Sequence, residues 1–348
     1  MRAILAIFFI ALTVTAVSTP RIRQIAINLG FVDVPAERKL QDEPIPLLGG
    51  ISIIIGALLA LLVAIYVVFG ELPQSVIGVL LASSLVAVIG LIDDRLGLPA
   101  WLKLLGQFLG FLILIYFGIR VQLPIPEPLN YAITFLWLAG ISNAINFLDN
   151  MDGLSAGISG VAAAFILLLA ILNGQFLVSA LAAAVLGACL GFLRYNFRPA
   201  KIYMGDAGSL FLGFLLAVLG IQLRFPENSN FITWMVPVLV LGIPIFDMTL
   251  VIISRLRRGI SPNTAGRDHL SHRLVNYGFS QREAVLILYI VGGALGMIAI
   301  FITQATLLES LAIGGIVAAT ALAAIWQLET NRSFRSKSSQ IADHNSNE

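Results

Sequence analysis

Two adjacent carboxylates, Asp93 and Asp94, lie at the edge of an apolar segment of the chain. Neighbouring carboxylates at a membrane edge repel one another unless a cation or a proton separates them. The pair therefore indicates a metal, a polyphosphate bridged by a metal, or proton transfer. The simpler alternative is a cap on the next helix. Lys103, in the apolar segment that follows, is a further charge in a place where charges are costly.

A second group of polar residues, in the stretch NAINFLDNMDGL, combines asparagine with aspartate. Asn143, Asn146 and Asp149 are three residues apart and would share one helix face, with Asp152 following if the turn persists. Their hard oxygen atoms suit Mg²⁺, which often binds through one or two protein oxygens together with substrate phosphates. A polar seam between two helices is the alternative that explains the same stripe without chemistry.

The segment MGDAGS has the composition of a phosphate-binding turn. Its glycines would let backbone N–H groups approach a phosphate at a helix N-terminus. Asp206 has the wrong charge for a phosphate and the right one for a metal bound to it, although a capping role is compatible with both.

The longest basic loop contains His269 and His272, whose spacing aligns them on a helix. A zinc site is a weak interpretation, because Cys or Glu at ligand spacing is lacking. Arg255 and other arginines nearby favour phosphate recognition. A basic loop in which His269 and His272 have no function is the alternative. Lys39 lies in a proline-containing loop near the N-terminus. It would either contact a phosphate or belong to a linker between two helices.

The elements that must position these residues are membrane spans. The chain is 58% hydrophobic and 11% charged, with a mean hydropathy of +0.94, whereas soluble domains carry roughly a quarter of their residues charged. The expected fold is an all-α polytopic membrane protein with about eleven transmembrane helices of roughly 20 residues each. The expected spans cover residues 3–19, 48–69, 77–93, 101–119, 130–148, 153–172, 176–193, 208–223, 232–255, 284–303 and 307–327.

The positive charges orient this bundle. With eleven spans, 18 of the 21 Lys and Arg residues fall on one side and only Arg2, Arg120 and Arg224 on the other. The expected location is the cell inner (plasma) membrane. Because cytoplasmic loops are enriched in Lys and Arg, the N-terminus is expected on the outer side of this membrane and the C-terminus in the cytoplasm. Every candidate residue named above then faces the cytoplasm. A cleaved signal peptide over the first 20 residues is the alternative for the first span.

One multi-span domain over residues 1–327 and a polar, disordered cytoplasmic tail over 328–348 account for the chain. The net charge of +2 gives no indication of a nucleic-acid partner, because the basic residues follow the membrane topology.

In five ordered motifs the chain resembles the polyprenyl-phosphate N-acetylhexosamine-1-phosphate transferases. The motifs are DVPAERKL with PLLGG, the Asp93-Asp94 stretch, NAINFLDNMDGL, MGDAGS and DHLSHRL. This resemblance implies transfer of a sugar 1-phosphate from a UDP-N-acetylhexosamine to undecaprenyl phosphate, with release of UMP, at the start of a cell-envelope glycan such as lipopolysaccharide or a teichoic acid linkage unit. It also implies Mg²⁺, with Mn²⁺ as a substitute, and leaves a homodimer open.

The resemblance also implies roles for individual residues. Asp206 and Asn146 would be the metal ligands. The residues expected to be catalytic are the carboxylates Asp93, Asp94, Asp149 and Asp152. Those expected to contact substrate are Lys39, Lys103, Asn143, Arg255, His269 and His272.

Departures from the family pattern narrow the choice of sugar donor. The branch that uses UDP-N-acetylmuramoyl-pentapeptide carries a triple-His motif and PTMGG, whereas this chain has DHLSHRL and PLLGG, with Ser271 where many relatives carry His. A simple HexNAc such as N-acetylglucosamine is therefore favoured over the muramoyl donor. A transporter using intramembrane carboxylates is the alternative from another class. The sequence leaves open both a one-step transfer and a route through an aspartyl-phosphate.

Overall fold

The computed structural model describes residues 1–33, 44–64, 73–226, 228–262, 264 and 266–331. These residues form fourteen helices and one short pair of strands. The helices are α1 (Arg2–Asn28), α2 (Gly49–Ala64), α3 (Gln74–Leu96), α4 (Ala100–Tyr116), α5 (Glu127–Leu148), α6 (Leu154–Leu172), α7 (Phe176–Asn196), α8 (Gly205–Gln222), α9 (Asn230–Thr233), α10 (Met235–Val240), α11 (Gly242–Arg257), α12 (Leu270–Tyr277), α13 (Gln281–Ile302) and α14 (Leu307–Thr330). Strands β1 (Val32–Asp33) and β2 (Ile45–Pro46) pair antiparallel.

The architecture confirms an all-α polytopic membrane protein. Within the described parts of the chain, eight helices are long and apolar enough to cross a bilayer: α1, α3, α5, α6, α7, α8, α13 and α14. α2 and α4 are apolar but shorter. The expected continuous span over 232–255 is instead divided among α9, α10 and α11, with a break at Leu241. Pro237 and Pro244 fall in this stretch and lack the N–H that an uninterrupted helix needs.

Helix α8 forms the centre of the bundle, and most of its residues are buried. It packs mainly against α3, α5 and α2. Glycines make this close packing possible: the backbone of Gly50 lies against Gly208, and that of Gly90 lies against Asp206. A side chain at either interface would push the helices apart, so the glycines bring three polar helix ends together.

Loops gather at two opposite ends of the bundle. At one end Arg23 binds the carbonyl of Lys201, the amide of Gly49 binds the carbonyl of Tyr203, and Arg282 binds the carbonyl of Arg198. All residues with predicted chemistry that the structure describes lie in the helix ends and loops of this first end. At the other end Gln175 pairs with the backbone of Arg224, and Asn228 binds the carbonyl of Thr303.

The C-terminal boundary differs slightly from the prediction. Helix α14 continues through Thr330, so a tail beginning at 328 would start inside its last turn. Residues 332–348 lie outside the described residues, as does Lys39.

Candidate active site

A lysine between two carboxylates lies at the centre of the site. Lys103, in the first turn of α4, places its Nζ 2.8 Å from Asp93 Oδ2 and 3.0 Å from Asp206 Oδ2. The other oxygen of Asp93 accepts from the amide of Leu98 and so holds the turn between α3 and α4. Three helices therefore contribute one charged cluster, which joins residues that the sequence places 113 positions apart.

Asp94 caps the start of α8. Its two oxygens accept from the backbone amides of Asp206 and Ala207, at 2.7 and 3.1 Å. Gly205 has a φ of +74°, and a Cβ there would lie 2.7 Å from the Asp94 carboxylate. The MGDAGS amides, expected to cradle a phosphate, are thus taken by Asp94. A carboxylate supplies the negative charge that a helix N-terminus favours, so Asp94 orients the start of α8, and its predicted catalytic role stays a prediction.

Asn146 faces the same cluster from the last turn of α5. Its Nδ2 donates to Asp206 Oδ1 and to Ser209 Oγ, both at 2.9 Å. One turn deeper, Asn143 Nδ2 donates to Gln107 Oε1 at 2.9 Å and to the carbonyl of Ala139. The two asparagines of the predicted stripe occupy successive turns of α5, and its third member, Asp149, follows at the end of the helix.

Asp149 ends α5 next to this acidic cluster. Burial raises the pKa of its carboxyl to about 8, and the negative charges of Asp206, Asp94 and Asp152 add to that rise. The Asp149 carboxyl is therefore mostly protonated at neutral pH and can donate a hydrogen bond.

Asp152 has a different environment from the other acids. Its Oδ2 accepts from the amide of Ala200 at 3.0 Å and lies 3.4 Å from Arg198 Nη1. These contacts tie the turn between α5 and α6 to the segment that leads into α8. They support the loop that carries Asp206, and the catalytic role predicted for Asp152 stays a prediction.

The histidine loop lies beside the asparagine stripe. Asp247, in α11, accepts from His269 Nδ1 at 2.8 Å and from the amide of Leu270 at 2.7 Å, and so fixes the start of α12. The ring of His269 lies 6.2 Å from that of Phe147 and 6.1 Å from that of His272, measured between centroids. The His–Asp contact leaves the Nε2 edge of His269 for other partners.

Ser271 and His272 connect the histidine loop to the end of α5 and affect its charge. Ser271 donates to Asn150 Oδ1 at 2.7 Å. Burial lowers the pKa of His272 to about 4, with His269 and Arg267 acting in the same direction. The His272 imidazole is therefore neutral at pH 7.

Arg255, predicted to contact substrate, pairs with an acid of the histidine loop. It is 4% exposed and binds both oxygens of Asp268, at 2.9 and 2.8 Å, while Arg258 binds the same carboxylate at 2.6 Å. Burial alone would raise the pKa of Asp268, but Arg255, His269 and Arg258 outweigh it and hold that pKa at about 2. Asp268 was not among the predicted site residues, although it opens the DHLSHRL motif directly after Arg267.

The oxygen-rich centre fits a magnesium ion that is bound partly by substrate. Asp206 and Asp93 offer carboxylate oxygens, the ligand type that Mg²⁺ prefers, and Asn146 has an amide oxygen that takes no part in its contacts to Asp206 and Ser209. Among the described residues, however, no three Asp, Glu, His or Cys side chains are arranged to hold one ion. An ion at Asp206 and Asn146 would therefore take most of its ligands from water and phosphate.

The chain is similar to known membrane transferases. The family described as glycosyl transferase family 4 matches residues 76–224, which include the acidic cluster and the asparagine stripe. A probable undecaprenyl-phosphate N-acetylglucosaminyl 1-phosphate transferase of Bacillus subtilis is 34% identical over 320 residues, which make up 89% of this chain and 88% of the relative.

Two further relatives come from other bacterial groups. A decaprenyl-phosphate N-acetylglucosaminephosphotransferase of Mycolicibacterium smegmatis is 32% identical and covers 83% of this chain and 80% of the relative. The undecaprenyl-phosphate alpha-N-acetylglucosaminyl 1-phosphate transferase of Escherichia coli K12 is 29% identical, covering 80% and 78% respectively.

Proposed function

The chain belongs to glycosyl transferase family 4, and from that premise we propose that it transfers N-acetylglucosamine 1-phosphate from UDP-N-acetylglucosamine to undecaprenyl phosphate. The products are UMP and a lipid-linked diphosphate sugar that begins a cell-envelope glycan. The observation that carries this proposal is the cluster of Lys103, Asp93, Asp206 and Asn146 at one end of an apolar bundle. N-acetylglucosamine is chosen because the similar proteins are named for it.

Eleven crossings with the N-terminus outside agree best with the arrangement of helix ends. Counting α9 to α11 as one passage, the helices run alternately between the two ends, and α14 returns to the end that holds the site. The basic loops lie at that same end, which is the cytoplasmic one by the positive-inside rule. UDP-sugars would then reach the site from the cytoplasm, and the lipid phosphate would reach it from the membrane.

In this reaction the protein mainly positions charged groups. Phosphoryl transfer needs alignment and charge neutralisation more than covalent protein chemistry. Mg²⁺, held by Asp206 and Asn146, would neutralise charge on the diphosphate when it is bound. Asp94 orients Asp206 through the start of α8, and Lys103 keeps two carboxylates together that would otherwise repel.

The histidine loop would hold the nucleotide sugar. A carboxylate can only accept a hydrogen bond, so the Nδ1 of His269 carries the proton that it shares with Asp247. Its Nε2 edge and the neutral ring of His272 are suited to polar and stacking contacts with a nucleotide or sugar. Asp93, whose carboxylate contacts Lys103, would face the lipid phosphate in this proposal.

The test is lipid-dependent release of UMP. Purified protein in detergent, given UDP-N-acetylglucosamine, undecaprenyl phosphate and Mg²⁺, should release UMP, and EDTA should stop the release. Asp206→Ala should lower kcat by at least 100-fold, in the range found when one charge-stabilising group is removed. Glu127→Ala, at the opposite end of the bundle, is the matched control and should keep full activity.

Two results would count against the proposal. If UMP release does not depend on the lipid, or if Asp206→Ala is as active as the control, the proposed transfer is wrong. Exchange of labelled UMP into UDP-N-acetylglucosamine without any lipid would point to a covalent aspartyl-phosphate, whereas its absence would favour direct attack by the lipid phosphate.

A further inference from the structure

The C-terminal turn of α14 contains a buried acid at the end of an otherwise exposed apolar helix. Leu328 is 8% exposed and Glu329 is 7% exposed, although most of α14 has little contact with the rest of the bundle. A buried carboxylate is costly unless it is paired. Its partner therefore indicates what this turn does.

The partner is Arg273, in α12. One Arg273 nitrogen, Nη2, lies 2.6 Å from Glu329 Oε1 and 3.0 Å from Ser254 Oγ, while Nη1 donates to the carbonyl of Leu328 at 2.7 Å. The third nitrogen, Nε, donates to the carbonyl of Asp268 at 2.9 Å. Arg273 is 4% exposed, so a single buried guanidinium joins α11, the start of the histidine loop and α14.

This junction determines where the histidines lie. Asp268 immediately precedes His269, and Arg273 immediately follows His272, so the two residues bracket the histidine pair. Both are held from outside the loop: Asp268 by Arg255 and Arg258, and Arg273 by the last turn of α14. Without the Glu329 carboxylate, the contacts described above would leave Arg273 as a buried cation with only carbonyl and hydroxyl partners. It would be expected to turn toward solvent and carry α12 with it.

We infer that Glu329 is a positioning residue for the nucleotide-sugar site: it acts through Arg273 to hold His269 and His272 in place. This inference rests on the proposed function of the histidine loop. It extends the site to the end of the last helix, 56 positions beyond Arg273. Glu329 also lies 3.8 Å from Arg257, so the same carboxylate connects α14 to the basic end of α11.

The experiment compares Glu329→Gln with the wild-type protein in the UMP-release assay. The neutral amide keeps the size of the side chain but removes its charge. The KM for UDP-N-acetylglucosamine should rise on the order of 10- to 100-fold, the scale expected when a binding group is displaced by about 1 Å. The KM for undecaprenyl phosphate should stay unchanged, because the acidic cluster does not depend on α14. Glu329→Asp should recover part of the loss.

Glu309→Gln is the matched control, because it changes the same residue type in the same helix at the opposite end. Glu309 is exposed and belongs to a capping box with Thr306, in which glutamine is also accepted. It should leave both KM values unchanged. Ser254→Ala removes another hydrogen bond of Arg273 and is the second variant to use if Glu329→Gln fails to fold. It should also raise the KM for UDP-N-acetylglucosamine.

The outcomes separate the two proposals. No UMP release by the wild-type protein would refute the proposed function itself. If the wild-type protein is active but Glu329→Gln has an unchanged donor KM, or equal losses for donor and lipid, the positioning role of Glu329 is refuted. A selective rise in donor KM that Glu329→Asp partly reverses would support it.

Discussion

At the scale of single residues, the contact between a buried amide, Gln107, and a partly buried one, Asn143, beneath the acidic cluster is the least expected feature. The carbonyl of Ala139 can only accept, so it fixes the Nδ2 of Asn143 toward itself, and the same Nδ2 donates to Gln107 Oε1. This leaves Gln107 Nε2 buried without a partner among the described residues. A buried, unpaired donor costs about 1–3 kcal/mol, so an apolar side chain in place of Gln107 would remove this cost.

We therefore expect Gln107→Met to separate stability from activity. The substitution removes the unpaired donor and keeps an unbranched side chain of similar length, so the apparent Tm should stay constant or rise. Activity should fall about 10-fold, because Asn143 loses the acceptor that holds its amide beside Asn146. Thermal unfolding in detergent and UMP release from the same preparation would measure both effects.

A double-mutant cycle tests the same pair more strictly. If Gln107 acts through Asn143, the double variant Gln107→Met with Asn143→Ala should lose no more activity than the more damaging single variant. This corresponds to a coupling free energy of at least about 0.5 kcal/mol. Fully additive losses would contradict a shared role and would leave the two residues with separate functions.

Residue types at the site could be predicted from the sequence, but their partners could not. Spacing predicted that Asn143 and Asn146 share a face, since helical periodicity is local. It could not predict that Lys103 lies between Asp93 and Asp206. Nor could it predict that Arg255 forms an ion pair with Asp268, because such contacts depend on how separate helices pack. The five-motif resemblance assigned catalytic roles to Asp94 and Asp152, and the contacts of both residues to backbone amides could not be predicted from it.

At the scale of elements, close contacts between glycines and neighbouring backbones determine the site. A Cβ on Gly90 of α3 would collide with the backbone of Asp206. The contact is between two main chains, so no side-chain rotation can relieve it. The separation of α3 and α8 at this point is therefore fixed by the absence of a side chain, and Asp94 reaches the start of α8 as a result.

Gly90→Ala should consequently weaken both the bundle and the site. Forcing a methyl group into a close-packed interface costs about 1–3 kcal/mol, and displacement of α3 should also lengthen the contacts of Asp94 to α8. We expect a lower apparent Tm together with a loss of UMP release larger than the loss of folded protein.

Gly293→Ala in α13 is the corresponding control. Nothing lies within 4 Å of a Cβ at Gly293, and alanine has a higher helix propensity than glycine by about 1 kcal/mol. This variant should be as stable as the wild-type protein or slightly more so. An equal loss in both variants would show that helix composition, and not the approach of α3 to α8, is responsible.

The helices themselves were largely predictable from hydropathy, because apolar length is a property of a single segment. The main difference concerns the stretch 232–255, where a continuous span was expected and three shorter helices are found. A hydropathy average over a whole segment does not reveal the local effect of Pro237 and Pro244, so it does not predict the break between α10 and α11. The end of α14 was placed too early for a related reason: Glu329 and Thr330 are polar, yet Glu329 is buried against Arg273.

At the scale of the whole molecule, the two ends of the bundle differ in their chemistry. The end with the site contains the acidic cluster, the histidine loop and the basic helix ends. The opposite end contains Arg120, paired with Glu127, and Arg224, whose guanidinium binds the carbonyls at the end of α8. These two arginines serve local structure, so the described part of that end offers no comparable group of charged residues for a UDP-sugar.

This asymmetry leads to a prediction about sidedness that is independent of activity. Cys189 is the single cysteine of the chain and is fully buried, so Cys189→Ala gives a background without accessible thiols. In that background, Gln304→Cys places a thiol at the opposite end, and Asn276→Cys places one at the end that holds the site, both at exposed positions. In intact cells a membrane-impermeant maleimide should label position 304 and not position 276, whereas permeabilised cells should show both. Labelling of position 276 in intact cells would place the site outside the cytoplasm, where the positive-inside rule does not put it and UDP-sugars are not made. The side rich in lysine and arginine would then face outward, contrary to the positive-inside rule.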